Sequence, residues 1–335
     1  MDKILTIIIP TYNMEKYLRH CLDSLIVPNM DKVEVLVIND GSKDSSSVIG
    51  HEYQDKYPQT FRVIDKENGN YGSCVNRGLK EATGKYVKVL DADDSFDSKS
   101  FTVYVETLQK VDVDLVLSNT IIVNEMEEKT GIMEVKAQSN IIFDFQKNPV
   151  FVQMHCVAYK TDNLRAIGYS QTEGISYTDQ EWIFWPMSTV KTAYFIPVYL
   201  YKYLIGRTGQ TMDPNLFAKA FPQELKVLER MIFLWEKYGK EWGCSKNYMY
   251  TKLKNWYDGM FKKSIRYGHK EQKELFINFD CGLKYKYPKF FSLSNRFCVG
   301  RKLLFPYVWY WRHFHTITPF GFIYKIEEWH NSVTK

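Results

Sequence analysis

Short apolar runs alternate with segments of helical period over about the first 120 residues, and this alternation restricts the fold more than any other feature of the chain. The apolar runs have the length of buried strands, and several end at Pro, Asn or Asp. They are residues 5–9, 33–38, 61–64, 86–90 and 115–123. Residues 14–26 and 74–82 place apolar side chains three and four positions apart, which predicts amphipathic helices. The pattern therefore predicts an α/β fold with a mostly parallel sheet flanked by helices.

The rest of the chain has a weaker pattern. Residues 192–199 are typical of a strand, and a helical period returns over residues 214–236. We therefore predict one α/β domain over residues 1–212 and a basic, aromatic and mainly helical extension over residues 213–335. Hydrophobic residues make up 45% of the chain and charged residues 25%, which excludes a disordered protein.

The net charge of +5 is unevenly distributed. Residues 213–335 carry 22 Lys and Arg against 11 Asp and Glu, a net charge of +11, whereas residues 1–212 carry 22 against 28, a net charge of −6. A basic segment of this kind favours an anionic partner, such as membrane lipid, a lipid-linked phosphate or nucleic acid. A solvated basic surface is an equal alternative. We expect no nucleic acid, because the positive charge is mixed with bulky apolar residues.

The aromatic segment from residue 303 to residue 324 is interrupted by Pro306, Arg312 and Pro319, so it lacks the ~20 continuous apolar residues of a membrane span. It is typical either of an interfacial segment or of aromatic packing on the main domain. No signal peptide precedes the first strand, and the six cysteines include no C-x-x-C pair. We expect a cytoplasmic protein, with peripheral contact at the inner face of the membrane as a further hypothesis.

Polar residues follow three of the predicted strands at the point where each ends. Ligands of open α/β sheets bind at the carboxyl ends of the strands. The last of these segments places Asp91, Asp93 and Asp94 within four residues, where their mutual repulsion favours a divalent cation such as Mg²⁺ or Mn²⁺. A solvated Asp-rich turn is the alternative. The chain contains neither a G-x-G-x-x-G motif nor a Walker A lysine loop, so phosphate binding is expected to depend on metal.

Four motifs together resemble the family 2 glycosyltransferases of GT-A fold, in particular those of bacterial polysaccharide assembly. The motifs are residues 9–13 (IPTYN), 39–42 (NDGS), 76–86 (NRGL followed by ATGKY) and 90–94 (LDADD). Their order and spacing match over about residues 3–100, and the resemblance weakens towards residue 210. The basic extension is also similar to those of polysaccharide-assembly members.

The resemblance implies a binding site for a nucleotide diphosphate sugar. Thr11 and Asp40 match positions that contact the nucleotide base, usually uracil, and Pro10 and Tyr12 match the residues that shape its pocket. Asn76 belongs to the NRGL motif and is a further candidate donor-binding residue.

The resemblance also assigns the acidic cluster. Asp91 matches a ribose or metal contact, and Asp93 matches the aspartate that binds the metal bridging the donor diphosphate. Asp94 is implied as a further metal ligand or as a group supporting the other two. The implied cofactor is Mn²⁺ or Mg²⁺.

An inverting transfer needs a general base that takes the proton of the acceptor hydroxyl. The family has an acidic pair, often Glu-Asp, at the distance from D-x-D where this chain has residues 177–182 (YTDQEW). We therefore predict Asp179 as the catalytic base, with Glu181 as the alternative. Thr178 departs from the family pattern, and an ordinary helix N-cap also fits this segment.

Residues 203–211 resemble the flexible segment that closes over the donor in this family. Arg207 is expected to bind the diphosphate, because a planar guanidinium suits phosphate oxygens. Gln210 is a weaker candidate contact in place of the histidine that this segment lacks. The Q-x-x-R-W signature of processive synthases is absent, which predicts that one sugar is added per encounter.

The function implied is an inverting, non-processive glycosyltransferase that uses a UDP-sugar by preference. The expected acceptor is a saccharide or lipid-linked saccharide in capsule, exopolysaccharide or cell-surface glycan assembly. Two alternatives remain: a catalytically silent member that binds nucleotide or glycan, which Thr178 and Val75 favour, and a sugar nucleotidyltransferase, which lacks its Gly-rich loop here.

Overall fold

The computed structural model describes residues 2–207, 217–241, 246–298 and 305–316. The chain divides into two compact units. The first consists of Met1–Gln223 with Trp242–Tyr248, and the second consists of Glu224–Glu241 with Met249–Lys335.

Strands of the first unit form one mixed sheet. They are β1 (Leu5–Thr11), β2 (Val33–Asn39), β3 (Phe61–Asp65), β4 (Tyr86–Val89), β5 (Ser95–Phe96), β6 (Leu115–Val123), β7 (Lys129–Met133), β8 (Ile142–Asp144), β9 (Val157–Lys160) and β10 (Thr192–Leu204). Their order is β3-β2-β1-β4-β9-β6-β10-β5, with β7 added on β6 and β8 on β10. The four pairs β1–β2, β1–β4, β2–β3 and β6–β10 are parallel.

Helices flank this sheet and connect its strands. They are α1 (Leu18–Asp23), α2 (Ser46–Lys56), α3 (Asn70–Glu81), α4 (Ser98–Leu108), α5 (Thr161–Ala166) and α6 (Asp179–Trp182). The predicted α/β fold with a mostly parallel N-terminal sheet is confirmed. Each of the five strands predicted before residue 124 is present. β6 has its predicted bounds, β1 ends two residues later than predicted, β2 and β3 end one residue later, and β4 ends one residue earlier.

The parallel strands are buried on both faces, as their nearly continuous apolar sequences predict. Every residue of β2 is buried, including Glu34. Its carboxylate accepts hydrogen bonds from the Thr6 hydroxyl at 2.7 Å and the Thr83 backbone N–H at 2.8 Å. The buried charge is thus hydrogen-bonded, and it joins β1 and β2 to the turn before β4.

Two predicted elements differ in length from the observed ones. The helix predicted over residues 14–26 is helical only over α1, and the N–H groups of Leu25 and Ile26 bond carbonyls three residues back in tighter turns. The strand predicted over residues 192–199 continues to Leu204 as β10. Its pairing with β6 shifts register between Phe195 and Tyr199, around Pro197, which cannot donate a ladder hydrogen bond.

β9 is a strand that the sequence pattern did not predict. It lies between β4 and β6 and is antiparallel to both, so β4 and β6 are not neighbours. Val157 to Tyr159 are fully buried there, and their three apolar residues are too few to distinguish a strand from a helix segment.

The second unit is built mainly from helices. The helices after residue 216 are α7 (Phe217–Tyr238), α8 (Lys246–Phe261), α9 (Lys270–Lys286), α10 (Pro288–Ser294) and α11 (Tyr307–Phe314), with a π-helical turn over Lys262–Arg266. Buried Asp280 receives two hydrogen bonds from the Arg312 guanidinium, at 2.6 and 2.8 Å, and one from the Tyr257 hydroxyl at 2.6 Å. The side chains of α11 thus hold it to α8 and α9.

The aromatic segment has both buried and exposed side chains. Tyr307 and Trp311 pack edge-on against Phe261 in the second unit, whereas Trp309 and Phe314 are exposed. Residues 303–304 and 317–324 of the predicted interfacial segment lie outside the described residues. Within the part of the chain that the structure describes, no helix has the length and apolar character needed to cross a membrane. The cysteines in that part form no disulfide.

Candidate active site

The polar ends of three parallel strands form one edge of the sheet. Thr11 ends β1 beside Asn39, which ends β2, and the Asp40 N–H donates to the Thr11 carbonyl at 2.8 Å. β4 lies on the other side of β1 and leads into Asp91. The candidate residues after these strands are therefore neighbours, as the parallel pairing of the strands requires.

Asp40 organises the loop that follows β3. Its buried carboxylate accepts hydrogen bonds from the Lys66 ammonium at 2.5 Å and the Gly69 N–H at 2.9 Å. Thr11 is also buried, and its hydroxyl donates to the carbonyl of Ile9 within β1, the strand that contains Pro10. A cleft of about 540 Å³ opens beside these groups. Its lining consists of Tyr12, Gly41, Lys43, Asp65, Lys66, Glu67 and Asn68.

The three clustered aspartates have different partners. Asp91 accepts a hydrogen bond from the Tyr71 hydroxyl at 2.8 Å. Asp94 is buried and accepts from the Tyr201 hydroxyl and the Leu204 N–H, both at 2.7 Å, so it holds the end of β10. The cluster therefore connects β4 to α3 and to β10.

The third aspartate, Asp93, forms an ion pair with Arg207, which directly follows β10. The Arg207 guanidinium also lies 5.6 Å from the centre of the Tyr17 ring, and the Tyr17 hydroxyl donates to Glu125. The predicted phosphate-binding arginine is thus brought to the aspartate cluster. Gln210, predicted from the same segment, lies outside the described residues.

Burial and mutual repulsion disfavour the charged forms of Asp91 and Asp94, although Arg207 pairs with Asp93. Burial, followed by the charge of Asp93, raises the pKa of Asp91 to about 7. Burial and the charges of Asp93 and Asp91 also raise the pKa of Asp94 well above its usual value. A cation among these carboxylates would offset the repulsion that causes both shifts.

His155 lies beside the cluster and was not among the predicted residues. It occupies a short 3₁₀ turn, Met154–Cys156, just before β9. A ring nitrogen of His155 and carboxylate oxygens of Asp91 and Asp94 all lie within 4.8 Å of one another. Burial, together with nearby Lys88, lowers the pKa of His155 to about 3, so its imidazole is neutral. No spacing motif in the sequence distinguishes this histidine.

Asp179, the predicted base, is the first residue of α6 and is partly exposed. One carboxylate oxygen accepts a hydrogen bond from the Gln180 side chain at 2.9 Å. Its charge contributes to the raised pKa values of Asp91 and Tyr71, so it lies close to both, although burial is the larger cause in each. The structure thus brings Asp179 to the aspartate cluster.

Glu181, the alternative base, is in a different environment. It is 2% exposed, and its two oxygens accept hydrogen bonds from the Thr172 N–H at 2.8 Å and the Thr172 hydroxyl at 2.7 Å. These contacts attach α6 to the loop before it. Thr178, which stands where the family has an acidic residue, is also buried.

Asn76 forms hydrogen bonds with the same loop before α6. Its amide nitrogen donates to the Gln171 carbonyl at 3.0 Å and to Glu173 at 2.8 Å, and its amide oxygen accepts from the Gln171 N–H at 2.7 Å. α3 approaches this loop so closely that a Cβ atom on Gly72 would lie 2.1 Å from the Thr172 carbonyl oxygen. Asn76 therefore joins α3 to the segment that leads to Asp179.

Known proteins have sequences similar to part of this chain. Residues 6–168 match the family model described as glycosyl transferase family 2. Glycosyltransferase GlyA of Streptococcus pneumoniae is 37% identical over 131 residues, which cover 38% of this chain and 18% of that protein. The minor teichoic acid biosynthesis protein GgaB of Bacillus subtilis is 32% identical over 174 residues, which cover 50% of this chain and 19% of that protein. The chain thus matches less than a fifth of the length of either relative.

Solved structures share the fold at low sequence identity. S. aureus TarS 1-349 in complex with UDP-GlcNAc has a TM-score of 0.60 and 18% identity, and the match covers 82% of this chain and 79% of that one. The mannosyltransferase PcManGT of Pyrobaculum calidifontis, in complex with GDP-Man and Mn²⁺, has a TM-score of 0.50 and 14% identity, with 87% and 84% covered. The fold is the predicted GT-A fold with C-terminal helices, and residues 6–168 are a family 2 glycosyltransferase domain.

Proposed function

We propose that this family 2 glycosyltransferase domain transfers one sugar per encounter, with inversion, from a nucleotide diphosphate donor to a saccharide hydroxyl. The observation that carries the proposal is the meeting of Asp91, Asp93 and Asp94 with Arg207 and Asp179 at the carboxyl edge of the parallel strands. A donor diphosphate needs positive charge, and an acceptor hydroxyl needs a base, and this edge offers both.

Asp179 is the proposed base. It is partly exposed, whereas Glu181 is buried and bonded to Thr172 through both oxygens. A base must reach the hydroxyl whose proton it accepts, and Asp179 is the more accessible of the two. Its proximity to the aspartate cluster supports a role beside the proposed diphosphate site.

The residues present fit a divalent cation. Asp91, Asp93 and Asp94 are the proposed ligands of the donor complex. Burial and the charge of Asp93 raise the pKa values of Asp91 and Asp94, and a bound cation would oppose both shifts. When bound, Mn²⁺ or Mg²⁺ would stabilise the negative charge of the departing diphosphate. Arg207 would contribute to the same end through its planar guanidinium, after leaving Asp93.

A uridine diphosphate sugar is the proposed donor. The cleft beside Tyr12 and Asp40 is open enough for a base, and buried Asp40 fixes the loop 66–69 that forms its wall. Thr11 and Asp40 correspond to base-contacting positions of the family, and UDP-GlcNAc is the ligand named for TarS 1-349. Tyr12, Asp40, Pro10, Thr11, Asn76 and Gln210 remain predictions as donor-binding residues.

The proposed acceptor is a saccharide or lipid-linked saccharide in bacterial cell-surface glycan assembly. The similarity to GlyA and to GgaB, a teichoic acid biosynthesis protein, supports this class. The net charge of +11 over residues 213–335 supports peripheral contact with an anionic membrane. Loss of liposome binding after removal of residues 306–335 would support that role, and unchanged binding would contradict it.

Calorimetry with UDP, GDP and dTDP, with and without Mn²⁺, tests the donor site. We expect UDP to bind more tightly with Mn²⁺, and we expect Asp93→Asn to remove most of this gain. Incubation with UDP-sugars and a saccharide acceptor should then release UDP. Nucleotide binding without any turnover would favour a catalytically silent member, and pyrophosphate as product would indicate a nucleotidyltransferase.

A further inference from the structure

One ring nitrogen of the buried His155, Nδ1, has no hydrogen-bond partner among the described residues. The residue is 9% exposed, and burial of a polar atom without a partner is unfavourable unless another ligand satisfies it. One ring nitrogen lies within 4.8 Å of a carboxylate oxygen of Asp91 and of one of Asp94. An imidazole facing two carboxylates in a buried site is the donor set of a transition-metal ion.

We propose that Asp91, Asp94 and His155 bind a divalent metal ion before any nucleotide is present, and that the imidazole makes the site selective for Mn²⁺ or a similar transition metal over Mg²⁺. The inference rests on the proposed function, because the ion would then serve the donor diphosphate. His155 is the ligand that the sequence did not reveal.

The described contacts leave each proposed ligand able to bind. Asp91 uses one oxygen for Tyr71, and Asp94 accepts one hydrogen bond at each oxygen. A carboxylate offers about four lone-pair sites, so both retain capacity for a cation. Atoms bonded to one ion at about 2.1 Å lie at most about 4.2 Å apart, so separations of up to 4.8 Å require only a small inward movement of these side chains.

Asp93 is not part of this first ligand set, because it pairs with Arg207. Three protein ligands leave open positions on the ion, which phosphate oxygens can fill. Arrival of a diphosphate would draw Arg207 to the new anion and release Asp93 towards the metal. The ion and the donor would therefore bind in that order.

Buried contacts hold His155 in position. The Lys88 ammonium donates to the carbonyls of His155 at 2.6 Å and Val157 at 3.2 Å. The ring centre of His155 lies 4.7 Å from that of Tyr201 and 4.4 Å from that of Tyr203. A ligand whose backbone and ring are both fixed is pre-organised for metal binding. Lys88 is thus a positioning residue for the site.

The choice of metal follows from the ligand types. Mg²⁺ prefers oxygen ligands and a complete octahedral shell with several waters. Imidazole nitrogen instead favours the transition metals of the first row, and among these Mn²⁺ is well suited to carboxylate ligands. We expect Mn²⁺ to bind the full-length protein at least about tenfold more tightly than Mg²⁺ without nucleotide.

Pulsed electron paramagnetic resonance of the Mn²⁺-loaded protein tests the ligation directly. The wild type should show coupling of the metal to a nitrogen nucleus, and labelling of histidine with ¹⁵N should change the coupling frequency. His155→Gln should abolish the coupling and weaken Mn²⁺ binding at least about tenfold in calorimetry. His20→Gln is the matched control, because His20 is exposed and pairs with Glu127, and it should leave both unchanged.

The wild-type spectrum decides the question even if His155→Gln fails to fold. Mn²⁺ without histidine coupling, or coupling that persists in His155→Gln, would overturn the inference. UDP binding and sugar transfer measured on the same preparations separate this outcome from failure of the proposed function. Metal-dependent transfer with oxygen-only coordination overturns the inference alone, whereas histidine coupling without nucleotide binding overturns the transferase proposal.

Discussion

The guanidinium of Arg207 pairs with the carboxylate of Asp93, and both side chains are nearly buried, at 13% and 10% exposure. The predicted phosphate-binding residue and the predicted metal ligand thus neutralise each other in the structure. Under the proposed function, both residues would exchange partners when a diphosphate and a cation enter the site.

Arg207→Gln should lower kcat/KM for sugar transfer by about 10²- to 10³-fold, because a charged donor aimed at the leaving diphosphate is lost. Arg207→Lys should recover part of this loss, because lysine keeps the positive charge. The recovery should be incomplete, because an ammonium lacks the planar, two-pronged geometry of the guanidinium. Steady-state release of UDP measures both variants. Activity of Arg207→Gln within about threefold of wild type would exclude a role at the diphosphate.

Asp179→Asn should lower kcat for transfer by about 10²- to 10⁴-fold while leaving the Kd for UDP unchanged, because only proton removal from the acceptor is affected. Glu181→Gln is the matched comparison. Its carboxylate holds Thr172, so we expect a loss of about 1–3 kcal/mol in the free energy of unfolding with a smaller effect on kcat. A larger loss of kcat in Glu181→Gln than in Asp179→Asn would indicate that Glu181 is the base.

Lys88 is fully buried, and burial lowers its pKa to about 7, below the ~10.4 of an unfolded lysine. Between these values the unfolded chain holds a proton that the folded chain lacks. Lys88 should therefore make the free energy of unfolding increase with pH between about pH 7 and 10, by up to about 1.4 kcal/mol per pH unit. Chemical denaturation across this range should show a smaller slope for Lys88→Met, while exposed Lys99→Met should keep the wild-type slope. Equal slopes in all three proteins would contradict the prediction.

Gly72→Ala should reduce transfer activity through displacement of a loop. The added Cβ atom would meet the Thr172 carbonyl at 2.1 Å, and Thr172 holds α6 through Glu181. We expect kcat to fall while UDP still binds. Gly282→Ala in α9 meets nothing within 4 Å and should stabilise the protein by about 0.5–1 kcal/mol with activity unchanged. Thermal melts and UDP release measured on both variants check this contrast, and full activity of Gly72→Ala would refute it.

Arg312→Met should destabilise the second unit by about 3–5 kcal/mol, because Asp280 would keep a buried charge without its partner. The control is Lys270→Ala, an exposed residue of α9 that pairs with Glu274, with an expected cost of no more than about 0.5 kcal/mol. Thermal unfolding measures both changes. Similar melting curves for the two variants would show that the Asp280 contacts contribute little.

The sequence predicted those elements that local pattern determines. β1, β2 and β6 are each rich in Leu, Ile and Val, so their position and burial could be read from the residues. The antiparallel β9 could not, because four residues contain no period and its place depends on the edges left by β4 and β6. Helix α1 was predicted too long because apolar spacing does not show where the turns tighten.

The candidate site divides in the same way. Asp40, Asp91 and Asp93 follow strands directly, so strand order alone brings them together. His155 reaches the cluster through a turn that is 61 residues beyond Asp94 in the sequence, and only the sheet topology shows their proximity. Lys88 stands out in the sequence as a charged residue within an apolar strand. The carbonyls that accept its hydrogen bonds could not be predicted, because they belong to β9 and the turn before it.

The late position of β9 and β10 in the chain has a consequence for synthesis on the ribosome. A nascent chain of 150 residues already contains β1 to β4 and all three clustered aspartates, yet β4 has no partner on one side until β9 emerges. The hydrogen-bond donors of Asp94 are synthesised later still, because Tyr201 and Leu204 follow it by 107 and 110 residues. Contacts of such sequence separation form slowly. The chain therefore completes its acidic pocket only near the end of translation of the first unit.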